Sequence, residues 1–554
     1  MKNKYGLEEY DFPATVDLTT GETQNVKIAC GFNNTDEGNA QRFLAHWHDD
    51  VRYCHESQTW FIWDTTRWAL DANDEVYEFA KDVVRLIHAE AGFIEGDNKA
   101  ETRALRKAVD KWAYASESNR AIKAMIELAR TDSRITVRMH DFDANPWLIN
   151  CPNGTLDLKE RRLREHRRED LITKTSAVPY EPETESIEWY ERLLEVLSFE
   201  QGAFLQRAAG SALTGINRDK ALFVLFGKPN ARKSTLLDPI FQTFGEYAMP
   251  VDISTFAKAI TRPGGARSDI ISLDGVRAAQ CSEVPRGMTF NDAFVKAMTG
   301  ANPRSARGLF ERFMRKILPV TKFFIETNFL PRMSFDDDAA FNRFFIISFL
   351  NPIPLEDCNP KIKERLLTDE DAQKAIFAWL VQGCYDWQDY GLLPPDSVNA
   401  ARKDYQRSMN PLLGFMETEV IEDPDANETT TELYKRFKLT SSAEERSDVP
   451  SITAFGEHLT ALGFKQKHTN KGNFRMGIRL RGLGEYEDTD VDGIEITKTA
   501  KSEGCEECEG CLSFSFLNIL AYMEGVQKCL HTLHRLHFLE SDMNEFVDDI
   551  EHLK

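Results

Sequence analysis

Four short apolar runs in the middle of the chain constrain the fold more than any other feature of this 554-residue sequence. Each is apolar at successive rather than alternate positions, as strands are when both faces of their sheet are covered. Segments of helical or loop composition separate them, which is typical of a mostly parallel sheet between helices. The sequence therefore predicts a central α/β unit. The runs are ALFVLFG (221–227), VRAAQCSE (276–283), TKFFIETN (321–328) and FNRFFIISF (341–349).

The first run leads directly into the loop FGKPNARKST at 226–235, and a helical stretch follows. Strand, tight loop and helix in this order form phosphate-binding loops, in which backbone N–H groups and the helix amino terminus face the phosphates. The pattern G-x-x-x-x-G-K-[ST] fails at one place, since Arg232 stands where the second glycine belongs. The nucleotide-binding residues predicted here are Gly227, Asn230, Arg232, Lys233, Ser234 and Thr235, with Ser234 also a ligand of Mg²⁺.

The arginine in the glycine position has a cost that can be compared with the binding energy. A side chain forced into the left-handed conformation costs roughly 1–2 kcal/mol. Hydrogen bonds to charged groups contribute about 1.5–3 kcal/mol each, and a phosphate loop makes several. Arg232 should therefore weaken nucleotide binding about tenfold or distort the loop, without abolishing the site.

Three further polar residues stand at the ends of later strands or strand-like runs. Glu283 is placed to hold the Mg²⁺ shell or polarise an attacking water, and Asn328 to sense the γ-phosphate. Arg343 is placed to reach the phosphate of a neighbouring subunit. Each residue alone is typical of ordinary structure, such as a solvated strand end or a turn. In this order, after a phosphate loop, Lys233, Glu283, Asn328 and Arg343 predict the catalytic set of an ATPase.

These segments resemble the superfamily 3 helicases of phage and plasmid primase-helicases, which are related to poxvirus enzymes. Residues 35–68 and 142–158 resemble the family's amino-terminal helicase-associated domain. SDIISLDGVRAAQCSE is similar to its acidic-strand motif, VKAMTGANPRSARGLFERF to the segment before its DNA-contacting hairpin, and KFFIETNFLPR to its Asn-bearing motif. The resemblance covers residues 35–481 and implies an AAA+-like ATPase that binds ATP and Mg²⁺ and forms a hexameric ring around DNA.

The sequence departs from the family in three places. Ala231 and Arg232 replace an Asn-Gly pair, and Pro285 stands where a second acidic residue is common. Asn342 replaces an Arg that often precedes the finger residue, for which Arg343 is the candidate. The resemblance therefore implies nucleotide binding more directly than it implies hydrolysis.

The carboxy-terminal part predicts a winged helix at 411–481, with three helices followed by a strand pair around HTNKGN. Residues 451–481 contain six Lys or Arg and one Glu, whereas residues 482–554 contain 17 acidic and 5 basic residues. The net charge of −21 thus hides a local basic surface suited to DNA. The candidate DNA contacts are Arg307, Arg312, Arg315 and Lys316 in or near the expected hairpin, and Lys465, Lys467, Lys471 and Arg475 in the wing.

The predicted organisation is multidomain, and its partners follow from the resemblance. We expect DNA, copies of the same chain and a separate primase or other replication proteins as partners. The ten scattered Cys and the absence of a membrane-length apolar run favour a cytoplasmic protein. The predicted units are a lead-in (1–34), an α-rich helicase-associated domain with linker (35–184), the ATPase core (185–359), a helical connector (360–410), the winged helix (411–481) and an acidic tail with a terminal helix (482–554).

Two motifs elsewhere in the chain could hold metals. Cys505, Cys508 and Cys511 lie close together in the acidic tail and could bind zinc, although three Cys in such a linker are more often free thiols. The DFD stretch at 141–143 supplies paired carboxylates, but no polymerase-like segment surrounds it. We expect free thiols in the tail and no catalytic role for the DFD carboxylates.

The leading hypothesis is an ATP-driven DNA helicase for replication of a phage, plasmid or integrated element. One alternative is a DNA-binding initiator or regulator that uses nucleotide as a switch and hydrolyses it poorly. A DNA-packaging motor is a third possibility.

Overall fold

The computed structural model describes the backbone at residues 8–16 and 23–30, and the chain at 31–94, 99–258, 268–306, 314–333, 337–352, 354, 359–409, 411–440, 449–469 and 472–482. The first two segments are β1 (Glu8–Val16) and β2 (Thr23–Cys30), which pair antiparallel with Glu8 opposite Cys30. The sequence predicted only a poorly specified lead-in here, because its polar and turn-forming residues carry no clear alternation.

The next part combines four helices with two small sheets. Helices α1, α2 and α4 enclose an apolar core that includes Phe43, Val83 and Met125. The predicted α-rich unit is thus mixed, with strand order β5-β4-β3-β6 in one sheet and β7-β8-β9 in the other. The elements are α1 (Asp36–Trp47), β3 (Val51–Cys54), β4 (Thr59–Trp63), β5 (Trp68–Leu70), α2 (Glu75–Phe93), α3 (Lys99–Ser116), α4 (Asn119–Ala129), β6 (Thr136–Val137), β7 (Leu148–Cys151), β8 (Gly154–Asp157) and β9 (Arg162–Arg164).

The central unit contains a five-stranded sheet in which all neighbouring strands are parallel. The four apolar runs form four of its strands, so the predicted parallel sheet is confirmed. The elements are α5 (Ile187–Val196), α6 (Phe199–Ser211), β10 (Leu222–Gly227), α7 (Lys233–Phe244), β11 (Ala248–Pro250), α8 (Ser268–Ile271), β12 (Ala278–Ser282), α9 (Asp292–Met298), β13 (Arg304–Ala306), β14 (Arg315–Ile317), β15 (Lys322–Thr327), α10 (Asp338–Phe341) and β16 (Phe344–Phe349).

The strand order of this sheet is β11-β12-β15-β10-β16, which fits an AAA+-like protein. An apolar core covers each face: Phe324 packs with Leu237 of α7 on one side, and Phe323 packs with Phe256 on the other. This two-sided burial is why the strands are apolar at successive positions. Because β15 lies between β12 and β10 and all three strands are parallel, their carboxyl-terminal ends lie side by side at the same end of the sheet.

Beyond the sheet, three helices precede a small carboxy-terminal unit. The unit has three helices and an antiparallel sheet of order β17-β19-β18. The expected strand pair around HTNKGN is β18 and β19, whereas β17 lies between the first two helices of the unit, where no strand was predicted. No helix of the described residues is long and apolar enough to cross a membrane. The elements are α11 (Pro360–Thr368), α12 (Glu370–Tyr390), α13 (Asp396–Met409), α14 (Pro411–Glu419), β17 (Val420–Thr429), α15 (Thr430–Thr440), α16 (Ile452–Ala461), β18 (Gln466–Thr469) and β19 (Gly472–Leu480).

Candidate nucleotide site

The loop between β10 and α7 brings the predicted lysine to the carboxyl-terminal end of the sheet. Lys233 is the first residue of α7, and its side chain is buried. Its Nζ donates hydrogen bonds to the carbonyl oxygens of Gly227 (2.8 Å) and Lys228 (2.9 Å), and to Oδ1 of Asn328 (2.8 Å). The loop therefore closes around the ammonium, and the predicted γ-phosphate sensor lies within hydrogen-bonding distance of it.

Arg232 adopts the conformation that the missing glycine would adopt. Its φ is 59° and Asn230 has a φ of 61°, so both residues lie in the left-handed region. The Arg232 guanidinium forms an ion pair with Glu195 on α5, and the Arg side chain is 12% exposed. The structure thus accommodates arginine with a strained backbone and an anchored side chain, and in this state the guanidinium is directed at α5.

Gly227 is required for a different reason, namely the close approach of β16. A Cβ on Gly227 would lie 2.4 Å from the carbonyl oxygen of Phe349. No side chain fits at that distance without a shift of backbone. Ser234 and Thr235 follow Lys233 in the first turn of α7 and are half-buried, while Asn230 is exposed at the loop surface.

Glu283 comes directly after β12 and also lies in the left-handed region, with a φ of 59°. Its side chain is exposed, and its backbone N–H donates to the carbonyl oxygen of Glu326 at 3.1 Å. A non-glycine residue with positive φ costs of order 1 kcal/mol or more, and such residues are concentrated at functional sites. The structure therefore brings Glu283, Asn328 and Lys233 to the ends of adjacent strands, as the sequence predicted.

Glu326 is a polar residue of this edge that sequence reasoning missed. Its Oε2 is buried and makes no hydrogen bond within the described part of the chain. Burial and the Asp238 carboxylate raise the pKa of Glu326, Lys363 and Lys233 oppose the rise, and Glu283 adds to it. Burial also lowers the pKa of Lys233, and Glu326 partly offsets this. The available signal was an acidic residue inside the apolar run TKFFIETN, two positions before Asn328.

Glu283 and Glu326 supply the kind of donor that Mg²⁺ prefers. The described residues include no group of three or more His, Cys, Asp or Glu that could hold a metal ion. Mg²⁺ commonly binds through one or two carboxylates together with substrate phosphates and retained water. A buried carboxylate oxygen without a partner beside the lysine of a phosphate loop fits that donor set.

Arg343 lies at the amino-terminal end of the parallel strands, whereas the phosphate loop lies at their carboxyl-terminal end. Its Nε donates to the Ala339 carbonyl (3.1 Å) and its Nη1 to Oγ1 of Thr299 (2.8 Å). The Arg343 carbonyl accepts from Leu222 at the start of β10, whereas the loop follows the end of that strand. The six residues of β10 span roughly 17–20 Å. Arg343 therefore cannot contact a nucleotide in the loop of its own chain.

Antiparallel strands β13 and β14 form a hairpin in the region where one was expected. Lys316 is exposed on β14, whereas Arg307, Arg312 and the Arg315 side chain lie outside the described residues. In the carboxy-terminal unit Lys465 and Lys467 are exposed, and Lys471 also lies outside the described residues.

The prediction that Arg475 contacts DNA is contradicted by its burial, at 2% exposure. Its guanidinium donates to the carbonyl oxygens of Gly456 (2.6 Å) and Phe464 (3.2 Å) and to Oγ1 of Thr460 (2.7 Å). It also donates to Gln466. Arg475 thus holds α16 against the sheet, and its charge is not available to a phosphate.

The other two candidate metal sites are the cysteines of the acidic tail and the DFD stretch. Cys505, Cys508 and Cys511 lie outside the described residues. Asp141 accepts from the Arg138 backbone N–H (2.8 Å), and Asp143 from that of Thr173 (2.9 Å). Asp141 therefore stabilises a local turn, whereas Asp143 holds this stretch against the segment that contains Thr173.

Comparison with known proteins finds one matching family and several distant viral relatives. Residues 40–198 match the family described as D5 N terminal like. A protein of Acanthamoeba polyphaga mimivirus is 22% identical over 355 residues, and one of Frog virus 3 is 26% identical over 254 residues; both are provisionally named helicases. The chain is thus similar to viral proteins named as helicases and, over residues 40–198, to the D5 N terminal like family.

The match to these viral relatives is partial on both sides. It covers 60% of this chain and 36% of the mimivirus protein, and 43% of this chain and 26% of the Frog virus 3 protein. The solved apo structure of the NrS-1 C terminal region covers 77% of this chain and 96% of its own, with 12% identity and a TM-score of 0.40. That score marks a loose likeness only.

Proposed function

We propose that this protein is an ATP-dependent DNA helicase that acts as a ring in the replication of a phage, plasmid or integrated element. The observation that carries the proposal is the position of Lys233, which is hydrogen-bonded to the phosphate-loop carbonyls and to Asn328. Glu283 follows the neighbouring strand at the same edge of the sheet. The helicase names of the viral relatives support the assignment.

Nucleotide binding would rearrange the contacts of Lys233. The backbone N–H groups of the first turn of α7 would face the phosphates, and Lys233 would exchange loop carbonyls for phosphate oxygens. Asn328 would then be released from Lys233 and free to orient an attacking water, which Glu283 would polarise. Mg²⁺, when bound with ATP, would neutralise phosphate charge, and Ser234 and Glu283 are the residues proposed to face it.

The position of Arg343 supports assembly into a ring. It is too far from its own loop to assist hydrolysis, and its guanidinium is half-buried against Thr299. In a ring, the surface of one subunit that carries Arg343 would face the phosphate loop of the next subunit. An arginine supplied in this way can accelerate phosphoryl transfer by 10³–10⁵. We propose a homo-oligomer, a hexamer by the family resemblance, in which Arg343 completes the neighbouring site.

Two surfaces are proposed to contact DNA. The carboxy-terminal unit has the helix, strand and hairpin order of a winged helix, and Lys465 and Lys467 are exposed beside its β18–β19 hairpin. The β13–β14 hairpin carries the exposed Lys316. Phosphate contacts from such residues make affinity strongly dependent on salt.

The experiment is ATP hydrolysis and strand separation, with and without DNA, by wild type, Lys233→Ala and Arg343→Ala. Both variants should lose turnover, but only Lys233→Ala should lose nucleotide binding. Because Arg343 acts in trans, mixing the two variants should restore part of the activity through sites with an intact loop and an intact neighbouring finger. Hydrolysis that survives in Lys233→Ala would remove the basis of the assignment.

A nucleotide-dependent initiator is the second candidate, favoured by the strained, anchored Arg232 and by Pro285 in place of a second acidic residue. It predicts tight ATP binding without turnover in the presence of DNA. A large rate gain in Arg232→Gly would instead identify the natural chain as a slowed motor.

A further inference from the structure

The carboxyl end of β15 brings an additional acidic residue into the nucleotide site. Glu326 pairs with Ser282 on one side and with Leu225 on the other, so it lies between β12, which Glu283 follows, and β10, which leads into the phosphate loop. The backbone hydrogen bond from Glu283 to Glu326 fixes the two residues side by side.

The side chain of Glu326 lies on the face of the sheet that α7 covers. Side chains two apart on a strand share a face, and Phe324 packs in the same core as Leu237 and Ile240 of α7. Glu326 therefore points toward the helix whose first residue is Lys233. It interacts electrostatically with Lys233 from α7 and with Glu283 from the end of β12.

A second carboxylate in this layer, Asp238 of α7, has its partners within the chain. It accepts from Gln280 of β12 at 2.7 Å and forms an ion pair with Lys363 of α11. Glu326 differs, because its Oε2 is buried and makes no hydrogen bond to any described residue. A buried carboxylate oxygen without a donor is costly to the fold, and such groups persist where a ligand or function requires them.

We propose that Glu326 is the second carboxylate of the nucleotide site and that, with Glu283, it holds the hydrated Mg²⁺ that accompanies ATP. The role rests on the proposed nucleotide-binding function. This role also compensates for Pro285, which stands where a second acidic residue is common in the family. The adjacent strand β15 supplies the carboxylate that is missing after β12. Two carboxylates, phosphates and retained water form a donor set that suits Mg²⁺.

Binding of a fluorescent ATP analogue, titrated with Mg²⁺ in wild type, Glu326→Gln, Glu283→Gln and Glu364→Gln, tests this role. Glu364 is an exposed residue of α11 and serves as a matched loss of charge. Glu326→Gln and Glu283→Gln should each raise the half-saturating Mg²⁺ concentration about tenfold, the lower end of the range for residues that tune metal sites. Glu364→Gln should match wild type.

Three further readouts separate a role at the metal from a structural one. In EDTA, Glu326→Gln should bind the analogue at least as tightly as wild type, because one negative charge beside the phosphates is gone. Its thermal midpoint should not fall, since the amide replaces a carboxylate that lacks a partner. Turnover at saturating ATP should drop about tenfold and recover partly with excess Mg²⁺.

The outcomes distinguish the two proposals. If wild type binds the analogue with the expected Mg²⁺ dependence and Glu326→Gln shows the same dependence, the role of Glu326 is wrong and the nucleotide site stands. If wild type binds no nucleotide, both proposals fail. Should Glu326→Gln not fold, Glu326→Asp keeps the charge and withdraws it by one methylene; unchanged Mg²⁺ dependence in that variant likewise overturns the role.

Discussion

Replacing Arg232 by glycine tests whether the natural arginine strains the phosphate loop. The left-handed backbone at φ 59° costs roughly 1–2 kcal/mol with a side chain. Glycine removes that cost but adds about 0.5–1 kcal/mol through its greater freedom in the unfolded chain. It also removes the ion pair with Glu195, which is 39% exposed, so the pair contributes about 0.2–1 kcal/mol. These terms nearly cancel, and Arg232→Gly should lie within about 1 kcal/mol of wild type.

Arg232→Ala separates these terms, because alanine keeps the Cβ and loses the ion pair. It should be less stable than Arg232→Gly by about 1 kcal/mol, the left-handed penalty less the entropy of glycine. Glu195→Gln removes the charge that pairs with both Arg232 and Arg192 and should cost about 0.2–1 kcal/mol for each pair.

The assay is hydrogen exchange of peptides covering 226–244, since a chain with several cores does not unfold in one step. Exchange gives the free energy of local opening of the loop and α7 in each variant. Equal protection in Arg232→Ala and Arg232→Gly would refute the claim that this position is strained. Protection in Glu195→Gln equal to that in wild type would show that the anchor contributes nothing.

Three further predictions concern stability and DNA binding rather than ATP hydrolysis. Arg475→Met should destabilise the carboxy-terminal unit by about 2–3 kcal/mol, because the buried Gly456 carbonyl and the half-buried Phe464 carbonyl lose a charged donor. Lys467→Ala should leave the stability of the unit unchanged and reduce the salt slope of DNA binding by about 0.7–0.9. Equal loss of DNA affinity in the two variants, without unfolding, would contradict these roles. Gly227→Ala should cost about 1–3 kcal/mol by overpacking against β16, measured as lost protection of β10; unchanged protection would contradict the close approach. Burial lowers the pKa of Lys322 to about 7, so between pH 7 and its ordinary pKa the unfolded chain binds more protons and stability rises with pH. Relative to Lys322→Met, the stability of wild type should therefore rise by about 1.4 kcal/mol per unit near pH 8–9, and a flat difference would contradict the lowered pKa.

The parallel sheet could be predicted because burial on both faces leaves a clear signal in each strand. Strand β17 lacks such a signal: VIEDPDANET contains Pro424 and four acidic residues, and its pairing with β19 shifts register between Glu422 and Asn427. Strands β1 and β2 were missed for a related reason. Strand β1 contains Pro13, and its pairing with β2 shifts register between Phe12 and Thr15.

The positions of Lys233 and Asn328 could be predicted, because the phosphate-loop pattern follows one apolar strand and Asn328 directly follows another. Glu326 was missed because an apolar run covered on both faces does not tell which side of the sheet a single acidic residue occupies. Glu195 was missed because its partner lies 37 residues away. Arg475 was misassigned, since a basic residue in a basic segment gives no sign of burial until the helix that surrounds its guanidinium is placed.

Single-turnover hydrolysis of ATP, measured with single-stranded DNA for wild type and Lys233→Ala, tests the central claim most directly. A nucleotide site built on Lys233 predicts DNA-stimulated phosphate release by wild type and none above background by Lys233→Ala, with the variant still folded by circular dichroism. Equal phosphate release by the two proteins, or binding of the nucleotide to Lys233→Ala with wild-type affinity, would contradict the account.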